Sequence, residues 1–569
     1  MTNGITSKIL PNSSNLAHFL LKEVSLSPRR ALIAACVAGL SNALILAIVN
    51  AAAEHASQSE SRPLYAVAFA AAMVLYIFSQ RWILIQAASE IEAIVHSVRM
   101  RIISTLRDCE LLDVEHLGRS VIYSGVARHT QTLSQSASTL TIAVQMAILI
   151  LFTTAYIAYL SITSFLVLIS FMAVALFIYF RKSYSVRNNL RSTLEMDNEV
   201  YGAIDDLLDG FKEAKLSRRK TKSILQRAEK ISENAADIRS NTQILLAKNF
   251  IFSQTAFYLL LGTMVFIVSM ISSDYSDEVQ KSTTAVLFII GPISGLIGSI
   301  SIFENASAAA EAIMDLESKL NTLAGRNGQK SDDTELKTAP CVDQLSPAFQ
   351  QIELKDAVFS FQTDDQTEAP FQIGPIDLKI TRGKTIFITG GNGSGKSTLL
   401  RVLTGLYPLT QGQILLDGRN VSRENLQDYR ELFSAVFGDF HLSRHLDGVD
   451  DNALHETDFW MKTLEIQDKV RIENKAFSTT ELSTGQRKRL ALVATVLEQR
   501  PILILDEWAA DQDPIFRKKF YREILPMLRD RGWTIIAVTH DSRFFDSADM
   551  QMHMEEGKMT EFDPELFHD

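Results

Sequence analysis

Thr385-Ile386-Phe387-Ile388-Thr389-Gly390-Gly391-Asn392-Gly393-Ser394-Gly395-Lys396-Ser397-Thr398-Leu399-Leu400 is the stretch that decides how this chain folds. It reads as a short buried strand (Thr385–Thr389), a glycine-rich loop, and the start of a helix. Gly390 to Thr398 satisfies GxxxxGK[ST] in full, in the strand–loop–helix setting that a phosphate-binding loop requires. The glycines allow backbone N–H groups to curl around phosphate oxygens. The helix that follows points its positive end at them. In such a loop Lys396 bridges the β- and γ-phosphates and the Ser397 hydroxyl ligates Mg²⁺. The expected ligands are therefore ATP and Mg²⁺.

Three further segments fit that reading. Ile502-Leu503-Ile504-Leu505-Asp506-Glu507 is a buried strand ending in two carboxylates. Asp506 is expected to hold Mg²⁺ through water, and Glu507 to polarise the water that attacks the γ-phosphate. Thr534–Thr539 is another apolar strand, and His540 at its end is placed to sense that phosphate. Leu482-Ser483-Thr484-Gly485-Gln486 stands before a helical run, Arg487–Leu497. A serine, a glycine and a free helix N-terminus make a second anion cradle.

Around these segments, short β-rich runs alternate with helical ones. The strands expected are Gln351–Phe361, Ile376–Ile380, Thr385–Thr389, Gln413–Leu416, Ser434–Phe437, Ile502–Leu505 and Thr534–Val538. This alternation predicts an α/β domain over residues 350–569 with a mostly parallel sheet. Residues 321–349 are polar and aperiodic and read as a linker.

Residues 1–320 are of another kind. Six apolar runs (Ala31–Ala53, Leu64–Ala88, Ala137–Leu160, Ile162–Phe180, Phe250–Ile271 and Thr283–Phe303) each approach the roughly 20 residues a helix needs to cross a bilayer. Arginines and lysines crowd the long stretches Ser89–Ser136 and Arg181–Asn249, and the short links hold almost none. Both long stretches and both chain ends are therefore expected in the cytoplasm. Leu111–Ser120 and Asp206–Leu216 are the segments expected to meet the ATP-binding domain. Gly291-Pro292, with Gly295 and Gly298, reads either as a hinge or as small-residue packing. Gln145 and Gln254 lie deeper in the apolar runs and could face a cavity. Met1–Arg30 lacks a signal-peptide pattern, so the first apolar run is expected to stay in the membrane.

Composition agrees. The chain has 569 residues, 47% of them hydrophobic, and a mean hydropathy of +0.07, high for a soluble enzyme of this length. A net charge of −10 argues against nucleic acid as a partner. Cys36, Cys109 and Cys341 are too scattered for a disulfide framework or a metal site.

On these residues the chain resembles the ATP-binding cassette superfamily over nearly its whole length. It is similar to exporter-type half-transporters: a six-helix transmembrane bundle fused to an α/β P-loop cassette. Within that group it resembles bacterial exporters of cyclic and siderophore peptides. That finer likeness is carried by residues 432–437 (LFSAVF) and 439–442 (DFHL), by Asp511-Gln512-Asp513-Pro514 with Phe516-Arg517, and by Phe520-Tyr521 with Leu525-Pro526. The resemblance implies export of a peptide-like cargo across the bacterial inner membrane by alternating access; a lipid or multidrug translocator shares the architecture. It implies a homodimer in which Ser483 and Gly485 of one copy clamp the γ-phosphate bound by the other. It also implies that Phe361 stacks on adenine and that Asp513 belongs to the loop linking the two sites. One position departs from the pattern: Gly438 stands where a Mg²⁺-binding glutamine is usual. The neighbouring carboxylate of Asp439 is the expected substitute.

Overall fold

The computed structural model describes residues 28–57, 63–174, 210–267, 276–326, 349–361 and 371–561, with a few single positions besides. The chain forms two compact units. One holds residues 1–104 and 120–319, the other residues 105–119 and 320–569.

The first unit is helical. Its helices are α1 (Pro28–Ser57), most of α2 (Pro63–Arg107), α4 (Thr130–Leu160), α5 (Ile162–Val174), α6 (Phe211–Leu216), α7 (Arg218–Gly262) and most of α8 (Ser276–Arg326). α3 (Leu111–Leu117) belongs to the second unit. Five helices among the described residues are long and apolar enough to cross a membrane. The fourth expected span is represented by α5, which is shorter, and most of the rest of that run lies outside the described residues. Some hydroxyls within the spans are satisfied by their own helix, as Ser41 Oγ donates to Val37 O (2.7 Å) and Thr153 Oγ1 to Leu149 O (2.9 Å), whereas those of Thr154, Ser282 and Thr283 are buried without a partner. Such back-bonding removes the cost of a bare polar group in hydrocarbon. Leu46, Ile157, Leu168, Phe257, Leu260 and Val286 form the buried centre where α1, α4, α5, α7 and α8 meet.

Pro292 lies within α8, which continues unbroken around it. A Cβ on Gly295 would collide with Met146 Sδ, whereas Gly291 and Gly298 face open space. Gly295 is therefore there for close helix approach. Gln145 does not stand alone, because Gln80 Nε2 donates to its Oε1 at 2.8 Å. α8 also runs six residues past the expected domain boundary, to Arg326.

Among its described residues the second unit contains two large sheets and one two-stranded hairpin. β1 (Gln351–Ser360), β2 (Gln372–Thr381), β4 (Gln411–Leu416) and β5 (Arg419–Asn420) form an antiparallel sheet in the order β2-β1-β4-β5. β3 (Thr385–Thr389), β6 (Phe433–Val436), β9 (Ile502–Asp506), β10 (Thr534–Val538), β11 (Met550–Glu555) and β12 (Lys558–Glu561) form the other, in the order β12-β11-β3-β10-β9-β6. All its pairings are parallel except that of β12. β7 (Ile472–Glu473) and β8 (Ala476–Phe477) make a small hairpin.

The central parallel strands β3, β9 and β10 are buried along their whole length because both faces are covered, as α/β sheets demand. Ile386, Ile388, Ile502, Ile504, Ile536 and Val538 face one core. Phe387, Leu503, Leu505, Ile535 and Ala537 face the other. This two-residue alternation is the pleat itself.

Candidate functional site

In an open parallel sheet, ligands bind beyond the carboxyl ends of the strands. Here β3 runs into Gly390–Thr398, β9 ends at Asp506-Glu507, β10 at Thr539-His540 and β6 at Phe437-Gly438. The sheet order thus gathers four expected segments on one edge.

The loop has its shape because of its glycines. Gly390, Gly393 and Gly395 adopt φ of 136°, 79° and 103°, values an L-residue resists. A Cβ on Gly390 would strike Met554 O. α9 (Lys396–Leu403) starts directly after Gly395. Lys396 is buried, and its Nζ donates to Gly390 O (3.0 Å) and Gly391 O (2.7 Å). The lysine therefore lies folded across its own loop. Burial lowers its pKa, while Glu507 and Asp506 pull it the other way. The Ser394 hydroxyl is buried without a partner in the same loop.

Ser397 Oγ donates to Asp506 Oδ2 at 2.8 Å, and the Gly438 N–H approaches the same oxygen at 3.4 Å. Asp506 is 4% exposed, and its Oδ1 is buried with no protein partner. Burial raises its pKa above the ordinary carboxylate range, against the bonds from Ser397 and Gly438. A hydroxyl beside an orphaned buried carboxylate oxygen suits a hydrated divalent cation. Among the described residues no three His, Cys, Asp or Glu side chains converge on such a point, so further ligands would have to be phosphate oxygens or water.

Glu507 follows in the left-handed region (φ 49°, ψ 34°). Its Oε1 lies 3.1 Å from His540 Nε2, and both side chains are about half exposed. The carboxylate is thus open to water and held against the histidine. Ser483 caps α10 (Thr484–Leu497) in a capping box with Gln486: Gln486 N donates to Ser483 Oγ (3.4 Å), and Ser483 N to Gln486 Oε1 (3.3 Å). Ser483 and Thr484 are exposed. Asp513 caps α11 (Pro514–Lys519), accepts from Phe516 N (2.9 Å) and pairs with Arg489 (2.9 Å).

Two further expected residues have neighbours of their own. The carboxylate of Asp439 pairs with Arg401 of α9 at 2.8 Å and is largely exposed. β1 stops at Ser360, one residue short of the expected run, and Phe361 follows it directly, with its ring edge-on to Phe359 (4.9 Å) and Tyr407 (5.9 Å). It shares the mouth of the site with an unforeseen aromatic, Phe371, whose ring tip lies 3.3 Å from where a Gly395 Cβ would sit.

Leu111–Leu117 is not a continuation of α2. The chain turns at Asp108–Glu110 and starts α3. Leu111 and Leu112 pack on the core beneath the antiparallel sheet. Glu110 pairs with Arg430. Tyr407 donates its hydroxyl to Glu115 Oε2 at 2.7 Å and accepts from Arg401 Nη1 at 3.1 Å. The other expected segment, Asp206–Leu216, lies partly outside the described residues; its described end is α6, which breaks from α7 at Ser217.

A P-loop cassette in a chain that also carries helices of membrane-spanning length defines an ATP-driven membrane transporter. Residues 373–510 match the family described as ABC transporter. The chain is 37% identical over 431 residues to ATP-binding protein SyrD of Pseudomonas syringae pv. syringae, which covers 73% of each chain. It therefore belongs to the ABC transporter family. It is also 27% identical over 300 residues to the ATP-dependent lipid A-core flippase of Haemophilus influenzae (strain ATCC 51907 / DSM 11121 / KW20 / Rd), covering 49% of this chain and 46% of the relative. Its fold matches a bacterial Atm1-family ABC exporter solved with ATP bound, at a TM-score of 0.70 and 17% identity over 94% of both chains.

Proposed function

We propose that this chain hydrolyses ATP and uses the energy to export a peptide-like cargo across the bacterial inner membrane, working as a homodimer. The observation that carries the reading is the gathering of Lys396, Ser397, Asp506, Glu507 and His540 at one sheet edge, on a chain whose described residues include five helices of spanning length.

The roles assigned follow from position. Gly390, Gly391, Asn392, Gly393, Ser394, Gly395 and Thr398 cradle the phosphates, and Lys396 swings from the loop carbonyls onto the β- and γ-oxygens. Ser397 and Asp506 would hold Mg²⁺, which when bound neutralises phosphate charge. Glu507 accepts a proton from the attacking water, and His540 holds that carboxylate in line. Phe361 packs on the adenine. Ser483, Thr484, Gly485 and Gln486 of a second copy close over the γ-phosphate, with Asp513 in the loop beside them. Closure of the two cassettes and their release after hydrolysis then switch the membrane helices between inward- and outward-open states.

A lipid-like cargo is the second reading. It is favoured by the relatives named lipid A-core flippases and by a cavity of about 500 Å³ in the helical unit. Ile150, Met172, Phe252 and Ile293 line that cavity, with Ser253 as the one polar side chain.

The test is ATP turnover by the full chain reconstituted in liposomes, with peptide and lipid cargoes added in turn. Turnover is expected in the parent, with a fall of about 10²–10⁴-fold in Glu507→Gln. Undiminished turnover in Glu507→Gln would refute its assigned role. Stimulation by lipid alone would decide for the second reading.

A further inference from the structure

A buried ammonium is costly unless fully partnered, so its partners show what it is for. Lys488, in α10, is 5% exposed. Its Nζ donates to the main-chain oxygen of Glu507 at 2.8 Å and pairs with Asp511 Oδ2 at 2.7 Å. Trp508 Nε1 returns a bond to Lys488 O at 2.8 Å. These three bonds clamp α10 to the turn that follows β9.

What they clamp is a strained residue. Glu507 is left-handed, a conformation that an L-residue resists and that persists only where the surroundings over-determine it. From that conformation its N–H reaches Val538 O (3.2 Å) and its carboxylate reaches His540 (3.1 Å). The carbonyl accepts from Ala510 N within the turn (3.3 Å) and, more closely, from Lys488 Nζ (2.8 Å), the one side chain that reaches it from α10. The same turn is pinned to the first residues of α10. Gln512 Nε2 donates to Gly485 O at 3.1 Å, and a Cβ on Gly485 would come within 2.7 Å of Asp511 O.

We propose that Lys488 is a positioning residue for ATP hydrolysis: its ammonium fixes the Glu507 peptide, and with it the aim of the carboxylate, and makes that aim depend on the helix that begins at Ser483. The inference rests on Glu507 acting as the base. A cassette whose α10 is displaced carries Lys488 with it and removes the side-chain hold on the left-handed turn at Glu507. Hydrolysis then responds to whatever seats Ser483 and Gly485.

The experiment compares Lys488→Met, Lys488→Arg and Glu507→Gln in the full chain in liposomes, measuring kcat and KM for Mg·ATP. Lys488→Met is expected to lower kcat about 10–100-fold, the effect of a displacement near 1 Å, with KM within about threefold of the parent. Lys488→Arg, which keeps charge and donors, restores most of the loss. Parent-like kcat in Lys488→Met overturns the proposal. So does loss of kcat and ATP affinity together without rescue by arginine, which marks a residue needed only for folding. Should Lys488→Met not yield folded protein, Asp511→Asn loosens the same ammonium more gently. There a lowered kcat at constant KM supports the role, and an unchanged kcat overturns it. If Glu507→Gln turns over normally, the reading of Glu507 fails. If it is dead while Lys488→Met is normal, the role of Lys488 alone fails.

Discussion

Replacing Tyr407 with phenylalanine removes one oxygen from the joint between α3 and the cassette. The ring remains stacked on Phe359 at 5.0 Å, so no cavity opens. Two hydrogen bonds go: 2.7 Å to the Glu115 carboxylate and 3.1 Å from the Arg401 guanidinium. Bonds to charged groups are worth about 1.5–3 kcal/mol each when neither partner recovers water. Both partners here recover part of it. Glu115 is exposed, and Arg401 keeps its pairing with Asp439. A net loss of about 1–2 kcal/mol is the reasonable figure, roughly a 5- to 30-fold shift toward an undocked α3. Hydrogen exchange on the full chain reads this directly, and the amides of 111–117 are expected to exchange faster by that factor. Burial, and then the bond to Glu115, raise the phenol's pKa, so the effect should not depend on pH near neutrality. Glu115→Gln alone should give a smaller change, and the double variant should give less than the sum. Unchanged exchange in Tyr407→Phe, or strict additivity, would refute the view that this hydroxyl fastens α3.

Two other outcomes follow from buried groups. Burial raises the Asp506 carboxyl above its ordinary pKa, so its charged form penalises the folded state without nucleotide. That penalty is absent at low pH and grows as pH rises through the raised value. Asp506→Asn should therefore raise the melting temperature of the nucleotide-free protein at neutral pH, by about 2–4 °C per kcal/mol relieved, while weakening Mg·ATP binding; a lowered melting temperature would contradict this. Burial, then Asp113, Asp108 and Glu110, push the Cys109 thiol up to about 11. At pH 8 its alkylation, followed by mass spectrometry, should run roughly a hundredfold slower than after unfolding.

The cassette was legible wherever its chemistry is contiguous. Phosphate recognition needs consecutive N–H groups, so Gly390–Thr398 appears as one string. Asp506-Glu507 and His540 are marked by the apolar strands that deliver them, and the Ser483 cap by a box only four residues long. β11 was missed because Met550–Glu555 (MQMHME) lacks the β-branched residues that mark the other core strands. The antiparallel sheet was not distinguished from the parallel one, since β1 and β4 read alike whichever neighbour they pair with. Joints made across the chain left no local signal. Tyr407 and Glu115 lie 292 positions apart. Arg401 meets Asp439 by a contact that only the fold brings about. Lys488 reads as one more cation on a helix until the Glu507 carbonyl is placed against it.

The grouping of residues 105–119 with the cassette has a practical consequence. A cassette severed at residue 349 and produced alone would lack α3, leaving the groove that seats Leu111 and Leu112 bare, Tyr407 without its acceptor and Arg430 without its counter-ion. Such a fragment should be sticky and less stable, and a synthetic peptide spanning residues 105–119 should bind it and restore its solubility. The cassette's true covalent outline is thus two pieces of chain, two hundred residues apart, and antibodies or inhibitors raised against the lone fragment would meet a surface that the whole protein never shows.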